Sequence, residues 1–305
     1  MSALAAPPVL SDAELRDLDA AIERALEAGD ESAAGLELLG YGEISCVVAW
    51  RAGDDRVACK RLPVFAEAAT LERYQASFTE YLERLAAGGV TPVASGLQVL
   101  PRGHGAAAVY CVQPRLAGDA LVSRALRGLE EDAALALFDR LLDAIEGVTS
   151  ATVGLDGQLS NWALVRGELR YLDVTTPMLR DGDGGERMPV GVFLASLPWA
   201  LRGIVRRWML RPILDKYYDP RGVVLDLLGN LHKERLAHLL PAFLDRANAR
   251  PGLAPALTQA EVDRYYAADA RDWALLQRLR RLDRAWQRRV RRRTYPFLLP
   301  GAIER

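Results

Sequence analysis

The spacing of hydrophobic residues changes partway along the chain, and that change restricts the fold more than any single motif. Residues 11–29 set Leu15, Leu18, Ile22 and Leu26 at helical intervals behind Ser11, a residue suited to capping. From Leu36 the stretch LELLGYGEISCVVAWRAGDDRVACKRLP reads as two β-rich runs around the turn signal AGDD. Helical spacing returns over 66–87, where Leu71, Tyr74, Phe78, Tyr81, Leu82 and Leu85 form an apolar stripe that GGVTP ends. LQVLPRG and AAAVYCVQPRL then read as two further strands. Beyond Gly118 the pattern is helical over 119–150 and most of 190–293, interrupted only by the β-rich WALVRGELRYLDV. This order predicts an α+β protein of two lobes with a cleft between them. A helical extension spans 1–35, a β-rich lobe 36–115 and a mainly helical lobe 116–305.

Half of the 305 residues are hydrophobic and 26% are charged, which excludes extended disorder. A formal net charge of -1 gives no reason to expect nucleic acid as a partner. Cys46, Cys59 and Cys111 lie in apolar strand-like runs without CxxC spacing, the pattern of a reduced, cytoplasmic protein. The N-terminal residues lack the basic start and apolar run of a signal peptide, and no run of about 18 uncharged apolar residues predicts a membrane span.

Three groups of residues are candidates for chemistry. Gly40-Tyr41-Gly42-Glu43-Ile44-Ser45 lies between β-rich runs, where glycines would let main-chain N–H groups line a phosphate; a plain tight turn is the competing reading. Lys60 stands in the apolar strand RVACKRL of a chain whose only other lysines are Lys216 and Lys233, the remaining basic residues being almost all arginine. A compact, flexible point charge is thus singled out at position 60, against the alternative of a strand-edge lysine reaching solvent. Glu80 on the following helix is the expected carboxylate partner, with Glu72 and Glu83 as alternatives. The third group lies in VGLDGQLSNWALVRGELRYLD, where Asp156, Asn161 and Asp173 supply hard oxygens suited to magnesium and a carboxylate able to accept a hydroxyl proton. Asp, Gly, Ser and Asn also make ordinary turns, so each group is weak alone.

Taken in order, Gly40-x-Gly42, Lys60, a helix bearing Glu80, the hinge-like YCVQPRL, Asp156-x-x-x-x-Asn161 and Asp173 resemble the protein-kinase-like superfamily. The nearest type is the aminoglycoside phosphotransferase kind of small-molecule kinase, and the resemblance covers roughly 36–180. It implies a two-lobed kinase-like fold and ATP-dependent, magnesium-assisted phosphotransfer to a hydroxyl of a small-molecule or lipid-like acceptor. Asp156 would be the catalytic base, and Asn161 and Asp173 the metal ligands. Gly40, Gly42, Ser45, Lys60 and Glu80 would serve the nucleotide. Gly154-Leu155-Asp156 stands where the family has His-Arg-Asp or His-Gly-Asp, and Asp173-Val174-Thr175 where it has Asp-Phe-Gly. The alternative is a catalytically inactive pseudokinase that binds nucleotide or serves as a protein-interaction module.

Two arginine-rich stretches remain, FLASLPWALRGIVRRWMLRPILDKYY at 193–218 and RLRRLDRAWQRRVRRR at 278–293. Core packing with solvated arginines is the preferred reading of both, ahead of nucleic-acid binding at 278–293. Peripheral membrane or anionic-substrate contact through 193–218 is the alternative there.

Overall fold

The computed structural model describes residues 6–29, 35–41, 46–194, 197–205, 207 and 210–299. It is α+β. The first helix, α1 (Asp12–Ala28), starts with the expected cap: the Ser11 hydroxyl accepts from the Glu14 amide while Glu14 reaches back to the Ser11 amide. Strands β1 (Glu37–Tyr41), β2 (Cys46–Ala52) and β3 (Asp55–Arg61) follow, so the two predicted β-rich runs are three strands. Helix α2 (Ala68–Ala87) then precedes β4 (Gly96–Pro101) and β5 (Ala107–Pro114). The five form one antiparallel sheet in the order β1-β2-β3-β5-β4.

Strand alternation on β5 explains how both faces of the sheet are covered. Ala108, Tyr110 and Val112 pack with Leu15, Leu18 and Ile22 of α1. Ala107 and Val109 turn the other way, onto Leu71 and Tyr74 of α2. Every residue from Ala107 to Val112 is therefore buried. Burial also pushes the Cys59 and Cys111 thiols up to about 12, so both are inert structural residues.

Among the described residues the rest of the chain is mainly helical, with one hairpin. A single turn, α3 (Val122–Ala125), and α4 (Glu131–Val148) precede β6 (Trp162–Val165) and β7 (Glu168–Tyr171), the hairpin expected from WALVRGELRYLDV. Its turn residues Arg166 and Gly167 both have positive φ, the geometry that matches strand twist in a two-residue loop. Short helices α5 (Val190–Leu194), α6 (Trp199–Ile204) and α7 (Leu210–Asp215) lead to α8 (Pro220–Lys233), α9 (Leu240–Asn248) and the long α10 (Gln259–Arg289). Asp219 caps α8 by accepting from the Gly222 amide, with Pro220 at the position where its missing N–H costs nothing.

The largest core joins α2 to this helical part. Phe78, Tyr81 and Leu85 of α2 meet Phe138, Leu141 and Ile145 of α4 and the apolar face of α8. The hairpin is wedged beside them, the Val93 amide donating to the Tyr171 carbonyl and the Tyr171 amide to the Thr91 carbonyl. These contacts fix the loop before β6 and the segment after β7 relative to the sheet.

Candidate functional site

Lys60 is where the sheet reaches that loop region. It lies on β3 opposite Val47 of β2 and Cys111 of β5, and its Nζ donates to Asp173 Oδ1 at 2.8 Å. The expected Lys60–Glu80 ion pair does not form. Glu80 instead accepts from Arg187 at 2.6 Å and lies 3.5 Å from Arg84, which together hold its carboxyl below the ordinary value. Glu72 and Glu83 are exposed. The physical reason is the helix face: the side of α2 turned inward carries Tyr74, Ser77, Phe78 and Tyr81, so residue 80 falls on its flank.

What α2 offers instead of a carboxylate is two phenols. Tyr74 donates to the Thr175 carbonyl at 2.8 Å and Tyr81 to the Gly154 carbonyl at 3.0 Å. Burial holds both hydroxyls far above their ordinary titration range, so these anchors stay protonated. One helix thereby grips both the segment after Asp173 and the loop before Asp156.

Packing explains the residues that stand at 154 and at 174–175. A Cβ on Gly154 would lie 3.0 Å from Met178 Cβ, 3.1 Å from the Tyr217 carbonyl oxygen and 3.2 Å from the Tyr218 ring. No space exists there for the histidine of the kinase-like motif that the sequence resembles. Main-chain bonds hold the loop in its place, from the Gly154 amide to Met178 and from the Leu155 amide to Tyr217, each 2.9 Å. After β7, Val174 is fully buried and the Thr175 hydroxyl donates to Asp173 Oδ1 at 3.0 Å, so Val-Thr pins the aspartate where a glycine would leave it hinged.

Asp156, Asn161 and Asp173 are brought together. The Asp156 carbonyl accepts from Asn161 Nδ2 at 3.3 Å and from the Tyr171 hydroxyl at 3.2 Å, and the Leu172 amide donates to the Asn161 carbonyl at 2.8 Å. Asp156 Oδ1 accepts only from the Gln158 amide, 3.1 Å away, among the described residues. Burial, with the nearby charges of Asp226 and Asp173, pushes its carboxyl up to about 7. Burial also raises Asp173, but the charge and hydrogen bond of Lys60 and the bonds from Thr175 outweigh it and leave that carboxyl below the ordinary value. Two neighbouring carboxyls are thus driven apart, one ionised throughout the neutral range and one able to exchange a proton within it.

Asn161 and Asp173 suit a hard cation. With its Nδ2 committed to Asp156, the Asn161 side chain leaves its oxygen for a ligand, and the Lys60 and Thr175 side chains both bond to Oδ1 of Asp173. No cluster of three or more His, Cys, Asp or Glu suited to a metal occurs among the described residues. A cation here would rely on these two side chains, water and ligand oxygens, as magnesium sites beside phosphates do. Gly40 pairs with Val47 at the end of β1. Gly42 and Ser45 lie outside the described residues.

Behind the loop, Asp226, Lys216 and Lys233 form a further polar group that the sequence reading missed. Asp226, almost fully buried on α8, accepts from Lys216 Nζ at 3.0 Å, from the Tyr265 hydroxyl of α10 and from Gln158 Nε2 at 3.3 Å. Lys216 also donates to the Tyr265 oxygen at 2.6 Å. Burial opposes the Lys216 charge, but Asp226 and Tyr265 more than compensate and hold the ammonium above its ordinary value. Gln158 Oε1 accepts from Lys233 Nζ and Asn230 Nδ2, each at 3.3 Å. All three lysines of the chain therefore converge on the surroundings of Asp156 and Asp173. The signal was present in VVLDLLGNLHK: Asp226, Asn230 and Lys233 stand at i, i+4 and i+7, a polar seam along an otherwise apolar helix.

No match to a curated protein is found for the chain. A family model described as "Family of unknown function (DUF6206)" matches residues 17–284, a span that contains every member of this site, and the chain belongs to that family.

Proposed function

We propose that the protein is an ATP-dependent phosphotransferase with a two-lobed, protein-kinase-like layout, acting on a hydroxyl of a small-molecule or lipid-like acceptor. In this reading 36–115 forms the nucleotide-binding lobe behind an extension at 1–35, and 116–305 the lobe that carries the reacting loop. The observation that carries it is the convergence of Lys60, Asp173, Asn161 and Asp156, which sequence order alone had linked. A cytoplasmic setting accords with it.

Lys60 would place its ammonium on the nucleotide phosphates while Asp173 stays ionised beside it. Asn161 and Asp173 would hold magnesium, whose charge would offset that of the nucleotide phosphates. Asp156 would accept the acceptor hydroxyl proton, and its carboxyl at about 7 is near the optimum for such a base at neutral pH. The Gln158 amide and the bonds to its carbonyl from Asn161 and Tyr171 orient it in place of the missing histidine.

A second reading, a pseudokinase that binds nucleotide or a partner protein, draws support from one observation. Lys60 pairs with Asp173 itself, and α2 brings no carboxylate to separate them. Thermal shift with ATP, with and without magnesium, followed by phosphate-transfer assays over hydroxyl acceptors, tests both. Magnesium-dependent stabilisation with turnover supports the enzyme. Stabilisation without turnover on any acceptor supports the pseudokinase, and equal melting with and without nucleotide overturns the shared nucleotide site.

A further inference from the structure

The helix α10 buries one face and exposes a second apolar one. Val262 is fully buried, Tyr265 and Tyr266 lie against Gly229 of α8, and Gln277, Arg280 and Asp283 continue that seam. On another face Leu275, Leu282 and Trp286, with Val290 just past the helix end, recur at three- to four-residue multiples, with half-buried Leu279 between them. Leu282 is 67% and Trp286 48% exposed, too much for side chains seated in a core. The preference for core packing at 278–293 is corrected here for these residues.

Charge identifies the occupant of this face. The chain as a whole carries -1, yet residues 278–293 hold nine arginines and one aspartate. Exposed Arg278 and Arg289 border the apolar stripe. Arg281, Arg284, Arg288 and Arg289 line a cleft of about 360 Å³ beside it, and Arg202 of α6 joins Arg291 and Arg293 around a second of about 240 Å³. We propose that the exposed face of α10 docks on an anionic phospholipid surface, Leu282 and Trp286 entering the acyl boundary while Arg278 and Arg289 meet headgroup phosphates.

A second copy of the chain fits this face poorly, because pairing stripe to stripe would bring two arginine clusters together. Nucleic acid would engage the arginines but leave Leu275 and Leu282 without a role. The contact is peripheral, since no helix among the described residues is long and apolar enough to cross a membrane. The proposal does not depend on phosphotransfer.

Co-sedimentation of the full chain with phosphatidylcholine vesicles, with and without phosphatidylglycerol, tests it. Binding is expected only to the anionic vesicles and should weaken with salt. Leu282→Ser with Trp286→Ser should lower the partition coefficient about ten-fold or more, and Arg278→Glu with Arg289→Glu by a similar factor. Unchanged far-ultraviolet circular dichroism and melting of each variant confirm that folding is kept. If Leu282→Ser with Trp286→Ser unfolds, the arginine pair carries the test alone, because its positions lie on the solvent side of the helix. Equal binding by wild type and the folded variants would overturn the proposal. So would a dimer in light scattering that Leu282→Ser dissolves, which assigns the face to a second copy. Duplex DNA binding that displaces the vesicles and survives Leu282→Ser would assign it to nucleic acid.

Discussion

Two polar clusters are built into the protein, and they use different cations. Under α1, Arg102 donates to Asp19 and Glu23, Arg61 to Glu23, and Tyr110 to Asp19, joining the helix to β3, β5 and the end of β4. Behind the 154–161 loop, Lys216 and Lys233 take the positions that arginine would fill elsewhere in this chain. The arginine cluster is a cross-link: Arg102 Nη2 bonds both Asp19 and Glu23, and Arg61 Nη2 shares Glu23, so two cations tie the helix to the sheet. The lysine cluster is an electrostatic surround. Its point charges neutralise Asp226 and orient Gln158, leaving the Asp156 carboxylate held by one backbone donor.

The largest effect expected from breaking this contrast is on chemistry. Asp156→Asn should lower turnover about 10²–10⁴-fold while nucleotide affinity stays near wild type. In the wild type, turnover should rise with pH through a midpoint near 7, since only the ionised carboxylate accepts a proton. Wild-type turnover by the variant on a verified acceptor would remove Asp156 from the reaction.

Next in size is Lys216→Met, which strands the buried Asp226 charge and should cost about 2–3 kcal/mol in urea unfolding. Adding Asp226→Leu should restore part of that loss. A single variant as stable as wild type would mean that the lysine cluster carries no structural weight. Arg102→Lys should cost about 1–2 kcal/mol, because the shorter side chain does not carry its nitrogen to the point from which Arg102 Nη2 bonds both Asp19 and Glu23. Indifference to that swap would erase the distinction between the clusters.

Asp156 also gives a stability signature. Folding raises its carboxyl from the ordinary 3.8 to about 7, so the native state binds the extra proton and stability falls as pH rises between those values. Asp156→Asn removes that loss, and the variant should gain steadily on wild type as pH rises from 4 to 8. A constant difference across that range would show that the site does not perturb the group. Smallest is Glu80→Gln, expected to shift stability by under about 1 kcal/mol and leave ATP affinity unchanged, since Glu80 pairs with Arg187 away from Lys60. A clear loss of nucleotide affinity would return Glu80 to the site.

Much of this was legible in the sequence because period carries burial. The α1 cap, the inward stripe of α2 and the Trp162–Tyr171 hairpin follow from local spacing and turn chemistry. The same spacing places Glu80 away from Lys60: the stripe Leu71, Tyr74, Phe78, Tyr81, Leu85 excludes position 80 from the inward face. Lysine scarcity pointed to Lys60 but applied equally to Lys216 and Lys233, whose partner Asp226 is reached only through tertiary packing of α8 on the loop. The exposed stripe of α10 was hidden for the opposite reason. Periodicity reveals an apolar face without revealing whether another element covers it.

The crowding at Gly154 bears on the order in which this site could be rebuilt. Installing a histidine at position 154 requires space that Met178, Tyr218 and the Tyr217 carbonyl now fill. Gly154→His alone should therefore be damaging, and it would become tolerable only after residues 178 and 218 had been made smaller. The effects of these substitutions are non-additive, and the sequence in which they are introduced decides which combinations remain folded.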